Sequence, residues 1–422
     1  MQNNSLFFIK LLSAAISNTP PELPEVSPDW QVIYKEAIAH QVHTLLFPVI
    51  EELPEHLQPE PALLETWRYE MLREGAFQIM HLDQMERVFQ YFHNQSIPLI
   101  ALKGLILRKY YPLKELRIMR DADVLVHSED LIKAHEALLK LGYKRGKSSE
   151  RHITYTHERY PEIELHTILT DNAAMESKGN FTSHVWENTI TELLDSAPVL
   201  SLSVKDQIIH QIFHIVHHIC SSGIGLRQLC DFTLFASAHS NDIIWDNILY
   251  EVELYGYDKF TQTLLAICHD LFDLPLPEDI LPEADEQFIF FQDKLTEDIL
   301  EAGAFGKRTK ERAASRNLLR YIKDGQDAAI SEVSASKISA ASHSDHKKIA
   351  FFNVVRFLFP VPANLGYQYR YAKRYPVLLP AAWIHRGFYN IGQLSLLAFI
   401  WDKETSAAYS DRIKLLTWLK LR

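Results

Sequence analysis

The sequence predicts an α+β protein in which a small mixed β-sheet is flanked by helices, with largely α-helical N-terminal and C-terminal regions. Three observations support this prediction. Residues 62–94 contain no proline and carry apolar side chains at helical spacing. Two stretches, 121–126 and 152–169, are instead rich in the apolar and β-branched residues that are typical of strands. Residues 204–272 return to a helical pattern, so helices are predicted on both sides of the strands.

The composition is that of a globular protein, and 422 residues are enough for two or three cores. The three cysteines follow no CxxC spacing, so neither a zinc–cysteine site nor a disulfide framework is expected. The N-terminus has an apolar patch but no basic segment before it, which argues against a secretory signal. We therefore expect a cytoplasmic protein. The motifs GxSxG, GxxxxGK[ST], GxGxxG and HExxH are absent, which argues against hydrolases, kinases and dehydrogenases.

The N-terminal part is predicted to be helical. Apolar spacing indicates helices at 5–17 and 29–50, separated by a proline-rich break, and then one long or two stacked helices at 62–94. A short strand follows and ends at Gly104, and a brief helix runs from there to Tyr111.

Strands and helices then alternate. Residues 121–126 are predicted to form a buried strand, and 128–143 a helix with Ser128 as its N-cap. A polar loop leads to two adjacent strands within 152–169. Helices continue over 204–272 and 286–324.

These patterns predict five regions along the chain. They are a helical N-terminal region, 1–94; an α/β core, 95–203; a helical domain, 204–326; a serine-rich linker or mobile loop, 327–347; and a basic helical C-terminal region, 348–422.

The C-terminal region differs from the rest of the chain in charge. Residues 351–422 hold ten Lys and Arg against three Asp and Glu, whereas the whole chain has a net charge of −11. Such a segment is a solvated helix face packed on an acidic body, or it contacts a membrane surface, an acidic partner or nucleic acid. Residues 377–401 are long enough to span a bilayer but carry polar side chains mid-segment, so a buried or interfacial helix is predicted.

The candidate site begins with two aspartates on the strand 121–126. Asp121 and Asp123 are two residues apart, so they share one face of the strand, while Ala122 and Val124 face the core. The same alternation places Glu164 and His166 together on a later strand. If the two strands are neighbours, three carboxylates meet. Hard oxygen ligands of this kind suit Mg²⁺ or Mn²⁺, and two such ions can promote an in-line displacement.

Basic residues lie close to this strand in sequence. Gly104 at the start of a helix would present backbone N–H groups to phosphates. The cations available to neutralise a triphosphate are Lys103, Arg108, Arg117 and Arg120, of which Lys103 and Arg117 are the first choices.

Spaced motifs over residues 95–235 resemble a known family. They are LKG followed by a short helix and YP, then RxMxDxDxLV, then ExH, and finally a helical HxxxH with GxxLRxLxD. This pattern is similar to that of the nucleotidyltransferase superfamily with the DNA polymerase β-like fold. Within it, the pattern looks like that of an uncharacterised bacterial group found with cell-surface polysaccharide and peptide biosynthesis genes.

The resemblance implies roles for individual residues. Asp121 and Asp123 would bind the metal, and Glu164 would be the third carboxylate and the general base. Gly104 would form the turn that opens to the nucleotide, with His166 close to the phosphates. Two departures are visible: the superfamily usually has Gly-Gly or Gly-Ser where this chain has Lys103-Gly104, and Arg120 replaces a small residue before the first aspartate.

Polar residues on the following helices are further candidates. Four histidines, at positions 210, 214, 217 and 218, lie along one helical side; they could bind a transition metal, contact nucleotide or acceptor (His214 and His217 above all), or simply pack. Arg227 and Asp231, four residues apart, could form a helix pair or close the wall of the site.

Two hypotheses follow. The first is a Mg²⁺- or Mn²⁺-dependent nucleotidyltransferase that moves a nucleoside monophosphate from an NTP, with ATP as the default, to an unknown hydroxyl or phosphate acceptor. The second is a catalytically silent nucleotide-binding scaffold that docks to a membrane surface or a biosynthetic complex through the C-terminal region. Neither hypothesis involves recognition of specific nucleic acid.

Overall fold

The computed structural model describes ten ranges of the chain. They are residues 3–24, 27–148, 152–169, 181–221, 223–283, 285–304, 359, 365, 369–389 and 403–421. The chain divides into two compact units, the first made of residues 1–217 and 224–304 and the second of 218–223 and 305–422. The division into five regions stays a prediction, and the predicted linker 327–347 lies outside the described residues.

Helices form most of the described chain. Up to residue 304 they are α1 Asn3–Ser17, α2 Trp30–His40, α3 His43–Glu51, α4 Pro61–Asn94, α5 Gly104–Leu107, α6 Leu131–Lys140, α7 Phe181–Glu187, α8 Val204–Ser221, α9 Leu226–Ala238, α10 Trp245–Glu253, α11 Asp258–Phe272 and α12 Glu286–Ala302. The second unit contains α13 Arg370–Arg374, α14 Leu379–Tyr389 and α15 Lys403–Trp418.

Seven strands of the described chain form one mixed sheet. They are β1 Ile100–Ala101, β2 Asp121–Leu125, β3 Lys144–Ser148, β4 His152–Thr156, β5 Glu162–His166, β6 Ile190–Leu194 and β7 Ala197–Ser201. Their order across the sheet is β3-β4-β5-β2-β1-β7-β6. The pairs β2–β5 and β1–β7 are parallel, and the other neighbours are antiparallel.

One face of this sheet carries the hydrophobic core. Ala122 and Val124 of β2 pack with Ile163 and Leu165 of β5 in a single buried cluster. The cluster also contains side chains of α4 and α6, which therefore cover this face. Since side chains alternate along a strand, the remaining residues of β2 and β5 point to the opposite face. The alternation predicted for both strands is confirmed.

The flanking helices hold the segment that leads into β2. Gln78 of α4 donates from Nε2 to the Met119 carbonyl (3.0 Å) and accepts from the Met119 N–H (3.1 Å). Thr44 of α3 donates to the Leu116 carbonyl at 2.5 Å. Because these bonds satisfy backbone groups that would otherwise be buried without partners, they fix where β2 begins.

The fold class is confirmed as α+β, with a mixed sheet between helical regions. Three local predictions are wrong. The helix expected over 29–50 is two helices, because Gln41 adopts the left-handed conformation (φ 57°). Ser128 is not an N-cap, since a 3₁₀ turn, Ser128–Asp130, precedes α6. The polar loop contains the strand β3, which pairs with β4.

The second unit has a small apolar cluster of its own, made of Leu365, Tyr369, Ala372 and Ala382. None of the helices within the described ranges combines the length and apolar character that a bilayer crossing requires. The part of the predicted apolar segment 377–401 that follows residue 389 lies outside these ranges.

We predict that Ile163 anchors β5 through burial alone. Its side chain is fully buried in the core on the face opposite Glu164. Ile163→Ala should lower the free energy of unfolding by about 2–5 kcal/mol, whereas Ile163→Val, the matched control, should cost about 0.5–1.5 kcal/mol. Urea denaturation followed by circular dichroism measures both, and equal losses for the two variants would contradict the assignment.

Candidate active site

The candidate site lies where β2 and β5 run side by side. The two strands are parallel, and Asp123 is directly opposite Glu164, while Asp121 is opposite Glu162. Neighbouring strands are about 4.8 Å apart, so side chains at paired positions on one face are close neighbours. The predicted neighbourhood of the two strands is confirmed in this register.

Asp123 is the buried centre of the site. Its Oδ1 accepts from Lys103 Nζ at 2.8 Å and lies 3.0 Å from His166 Nε2. Burial alone would raise the pKa of Asp123, but Lys103 and His166 outweigh it and hold the pKa far below its usual range. Burial and the neighbouring Asp123 raise the pKa of Asp121 instead. The two aspartates therefore have different electrostatic environments although they share one strand face.

Lys103 reaches Asp123 from an unusual backbone conformation. It has φ 49° and ψ −124°, a region that glycine normally occupies, and it immediately precedes α5. Holding a side chain there costs on the order of 1–3 kcal/mol, and such strain is concentrated at functional sites. Burial would lower the pKa of the ammonium, yet Asp123 raises it, so Lys103 stays charged.

Glu164 lies between two imidazoles. Its Oε2 is 3.6 Å from His166 Nε2 and its Oε1 is 3.7 Å from His152 Nε2. His152 is on β4, where it pairs directly opposite His166 in the antiparallel register. His152 was not predicted from the sequence. The signal that could have found it is the β4–β5 hairpin, since its register places the two histidines on the same face as Glu164.

Arg117 and Asp231 form a buried ion pair beside the site. Arg117 donates to Asp231 from Nε (3.0 Å) and from Nη2 (2.5 Å), and Tyr111 donates its hydroxyl to the same carboxylate at 2.8 Å. Burial disfavours the charged guanidinium, but Asp231 raises the pKa of Arg117 above its usual value. The pair links α9 to the segment before β2. A place for Asp231 in the wall of the site stays a prediction.

The other predicted arginines occupy different environments. Arg108 is buried and donates to Gln78 (2.8 Å) and to the Arg117 carbonyl (3.2 Å); burial and the adjacent Arg117 lower its pKa to about 9. Arg227 donates to the Ile118 carbonyl at 2.7 Å. Arg120 is about half exposed and pairs with Glu74 at 3.0 Å. Among these three arginines, Arg120 has the most exposed side chain.

The lack of a side chain at Gly104 allows the buried Arg117 guanidinium to pack against the turn that begins α5. A methyl group at this position would overlap the Arg117 guanidinium and lie 2.9 Å from Met119 Sδ. The helix that begins here, α5, is only four residues long. The structure therefore gives the glycine a packing reason, and its contact with phosphate stays a prediction.

His214 and His217 lie half-buried on α8. Their contact with a nucleotide or acceptor stays a prediction. The catalytic or binding role of every other site residue named above is likewise a prediction.

Comparisons with known proteins bear on the class of the chain. A family model described as "Uncharacterised nucleotidyltransferase" matches residues 27–273, more than half of the chain. A search of curated proteins gave no match. Among solved structures, the chain is similar to the lincosamide antibiotic adenylyltransferase LnuA in its lincomycin-bound form, at 15% identity over 37% of this chain and 96% of that chain, with a TM-score of 0.26.

We predict that Asp231 stabilises the protein by compensating the buried charge of Arg117. Asp231→Asn keeps the side-chain size but leaves the guanidinium without a counter-charge, which should cost about 3–5 kcal/mol. The double variant Arg117→Met, Asp231→Leu removes both charges, so its free energy of unfolding should fall by less. Urea denaturation compares the two, and a double variant less stable than Asp231→Asn would contradict this account.

Proposed function

The chain belongs to the family of uncharacterised nucleotidyltransferases, and from that premise we propose that it transfers a nucleoside monophosphate from an NTP to a hydroxyl or phosphate acceptor with the help of a divalent metal ion. The observation that carries the proposal is the parallel register of β2 and β5, which sets Asp123 opposite Glu164. Carboxylates on adjacent strands that face the same side of a sheet can bind a metal ion next to phosphate groups.

The donor set fits a hard divalent cation. Asp121, Asp123 and Glu164 offer carboxylate oxygens on one face of the sheet, and such oxygens are the ligands that Mg²⁺ and Mn²⁺ prefer. When bound, the metal would stabilise negative charge on the phosphates and the leaving pyrophosphate. In the reaction, an acceptor oxygen attacks the α-phosphorus and the bond from that phosphorus to the pyrophosphate oxygen breaks.

Glu164 is our candidate for the general base. Its side chain is partly exposed, at 22%, and faces the same side as Asp123. A general base has to lie within hydrogen-bond reach of the proton that it accepts. A hydroxyl acceptor bound beside Glu164 would transfer its proton to this carboxylate as the new P–O bond forms.

Lys103 and Arg120 are our candidates for phosphate contact. The Lys103 side chain is 24% exposed, and its ammonium lies on Asp123 and can be shared with a bound phosphate oxygen. Arg120 immediately precedes Asp121 and is about half exposed. Arg108 and Arg117 could reach phosphate only by leaving their buried partners. We therefore propose that they stabilise the wall of the site instead of binding phosphate.

The first prediction of this proposal concerns turnover. The purified chain, incubated with α-labelled ATP, GTP, CTP or UTP, Mg²⁺ or Mn²⁺ and fractionated cell extract, should transfer label to an acceptor with release of pyrophosphate. Asp123→Asn should reduce transfer roughly 100-fold or more, because the charge that organises the site is lost.

Asp83→Asn is the control, since it makes the same chemical change on the exposed face of α4. It should keep full activity. Circular dichroism verifies that both variants are folded, and label transfer that survives in folded Asp123→Asn would contradict the assignment.

The catalytically silent scaffold is the second candidate. The observation that favours it is the ion pair of Lys103 with Asp123 at 2.8 Å, because an ammonium on this carboxylate competes with a metal ion. Calorimetry separates the candidates: metal-dependent nucleotide binding without turnover across all acceptor fractions supports the scaffold. The absence of any nucleotide binding would eliminate both.

The second prediction tests the role of Lys103. Lys103→Met preserves length but removes the charge, so Asp123 should bind divalent ions more tightly while the KM for NTP rises about tenfold, the equivalent of one charged contact. Lys109→Met is the matched control, since Lys109 pairs with Glu192 away from the site. Calorimetric metal titration and steady-state kinetics measure the two effects. Unchanged metal affinity in Lys103→Met would show that the ammonium does not compete for Asp123.

A further inference from the structure

A second group of potential ligands lies at the β4 side of the site. His152, Glu164 and His166 each offer one ligand atom, and these three atoms all lie within 4.8 Å of one another. The cluster follows from strand register, because His152 is opposite His166 and Thr154 is opposite Glu164 in the antiparallel β4–β5 pair. On the other face, Leu165 is buried in the core and Ile153, its partner in the register, is partly buried against it, so the two strands fix the backbone of the three ligands.

The distances in the cluster fit a shared ion. Glu164 lies 3.7 Å from His152 Nε2 and 3.6 Å from His166 Nε2. Good hydrogen bonds between such groups measure about 2.7–3.2 Å. Two ligands bound at about 2.1 Å to one ion are themselves about 3.0–3.4 Å apart in octahedral or tetrahedral geometry. A contraction of a few tenths of an ångström would therefore bring Glu164 and each imidazole to the spacing of two ligands on one ion.

The cluster is also accessible and adjacent to the carboxylates. The side chains of His152, Glu164 and His166 are 28%, 22% and 13% exposed, so an ion can enter from solvent. Asp123 Oδ1 lies 3.0 Å from His166 Nε2. An ion at this nitrogen would consequently be a direct neighbour of the aspartate that centres the proposed active site.

The ligand types determine which ion is favoured. Imidazole nitrogens suit zinc, copper, iron and nickel. Manganese favours oxygen ligands as Mg²⁺ does, but it accepts imidazole more readily than Mg²⁺, which prefers an all-oxygen shell and keeps several waters. We propose that His152, Glu164 and His166 form a binding site for a first-row transition-metal dication that discriminates against Mg²⁺. This metal site shares Glu164 with the proposed active centre, so the inference rests on the proposed function to that extent. It deepens that function, because it makes the β4 side of the centre selective for Mn²⁺ or Zn²⁺.

Metal titration of the full chain tests the proposal. After treatment with chelator, the wild-type protein should bind Zn²⁺ and Mn²⁺ more tightly than Mg²⁺ in calorimetry. His152→Ala should weaken Zn²⁺ and Mn²⁺ binding by about tenfold or more and leave Mg²⁺ binding unchanged. His93→Ala removes an exposed histidine of α4 instead and is the matched control. It should leave all three affinities as they are.

Spectroscopy identifies the ligands directly. Electron spin echo modulation of Mn²⁺ bound to the wild-type protein should contain ¹⁴N coupling from imidazole, and His152→Ala should reduce it. His152→Asp keeps a ligand but replaces nitrogen with oxygen, so its preference should move toward Mg²⁺. If folded His152→Asp retains the wild-type ratio of Zn²⁺ to Mg²⁺ affinity, or if no ¹⁴N coupling is seen, the proposal is wrong.

The outcomes also distinguish this site from the proposed function. If Asp123→Asn abolishes ion binding while His152→Ala binds as the wild type does, the ion resides on the aspartates. That result overturns the histidine site and leaves nucleotidyl transfer standing. If His152 governs Zn²⁺ and Mn²⁺ affinity but no NTP is turned over, the metal site is upheld and the proposed function fails.

Discussion

The parallel pairing of β2 with β5 is the constraint on which the rest of the candidate site depends. Five consecutive residue pairs, from Asp121–Glu162 to Leu125–His166, align the two strands. The alternation of side chains then separates a core face, with Val124 and Leu165, from a polar face. A shift of one residue in register would exchange the two faces, so core packing and the position of the carboxylates are determined together.

This pairing concentrates negative charge, which the protein compensates from outside the sheet. Lys103 comes from the turn after β1 and adopts a strained backbone to reach Asp123. Arg117 brings charge close to Asp121 but is itself tied to Asp231 on α9. The helical regions on both sides of the core therefore determine which cations can face the carboxylates and which remain internal.

The parts of the fold that follow from local pattern could be predicted from the sequence. The apolar alternation of β2 and β5 gave the correct faces, and the long helix α4 followed from its spacing. In contrast, β3 consists of Lys144–Ser148, all of them exposed, so no hydrophobic pattern marks it. The chain breaks between α2 and α3, just after His40, without a glycine or proline. At this point His40 forms long-range hydrogen bonds, from the Leu226 N–H to Nδ1 (3.1 Å) and between Nε2 and the Leu300 carbonyl (3.1 Å). The local spacing of residues does not reveal hydrogen-bond partners that are this far apart in the sequence.

The same limit applies within the site. Sequence spacing identified the basic residues near the aspartates but not their partners, because the ion pair of Arg117 joins residues that are 114 positions apart. His152 went unrecognised because its place depends on the register of a hairpin and not on a motif. By contrast, Asp123 and Glu164 could be linked in advance, since each lies on a strand whose faces are evident from the sequence.

The most direct test of the central claim is a crystal structure of the full chain with Mn²⁺ and a non-hydrolysable NTP analogue. The account predicts anomalous density for manganese on the polar face between β2 and β5, in contact with Asp123 or Glu164, with the triphosphate beside it and within reach of Lys103. Manganese and nucleotide bound elsewhere on the chain, with the ion pair of Lys103 and Asp123 undisturbed, would contradict it.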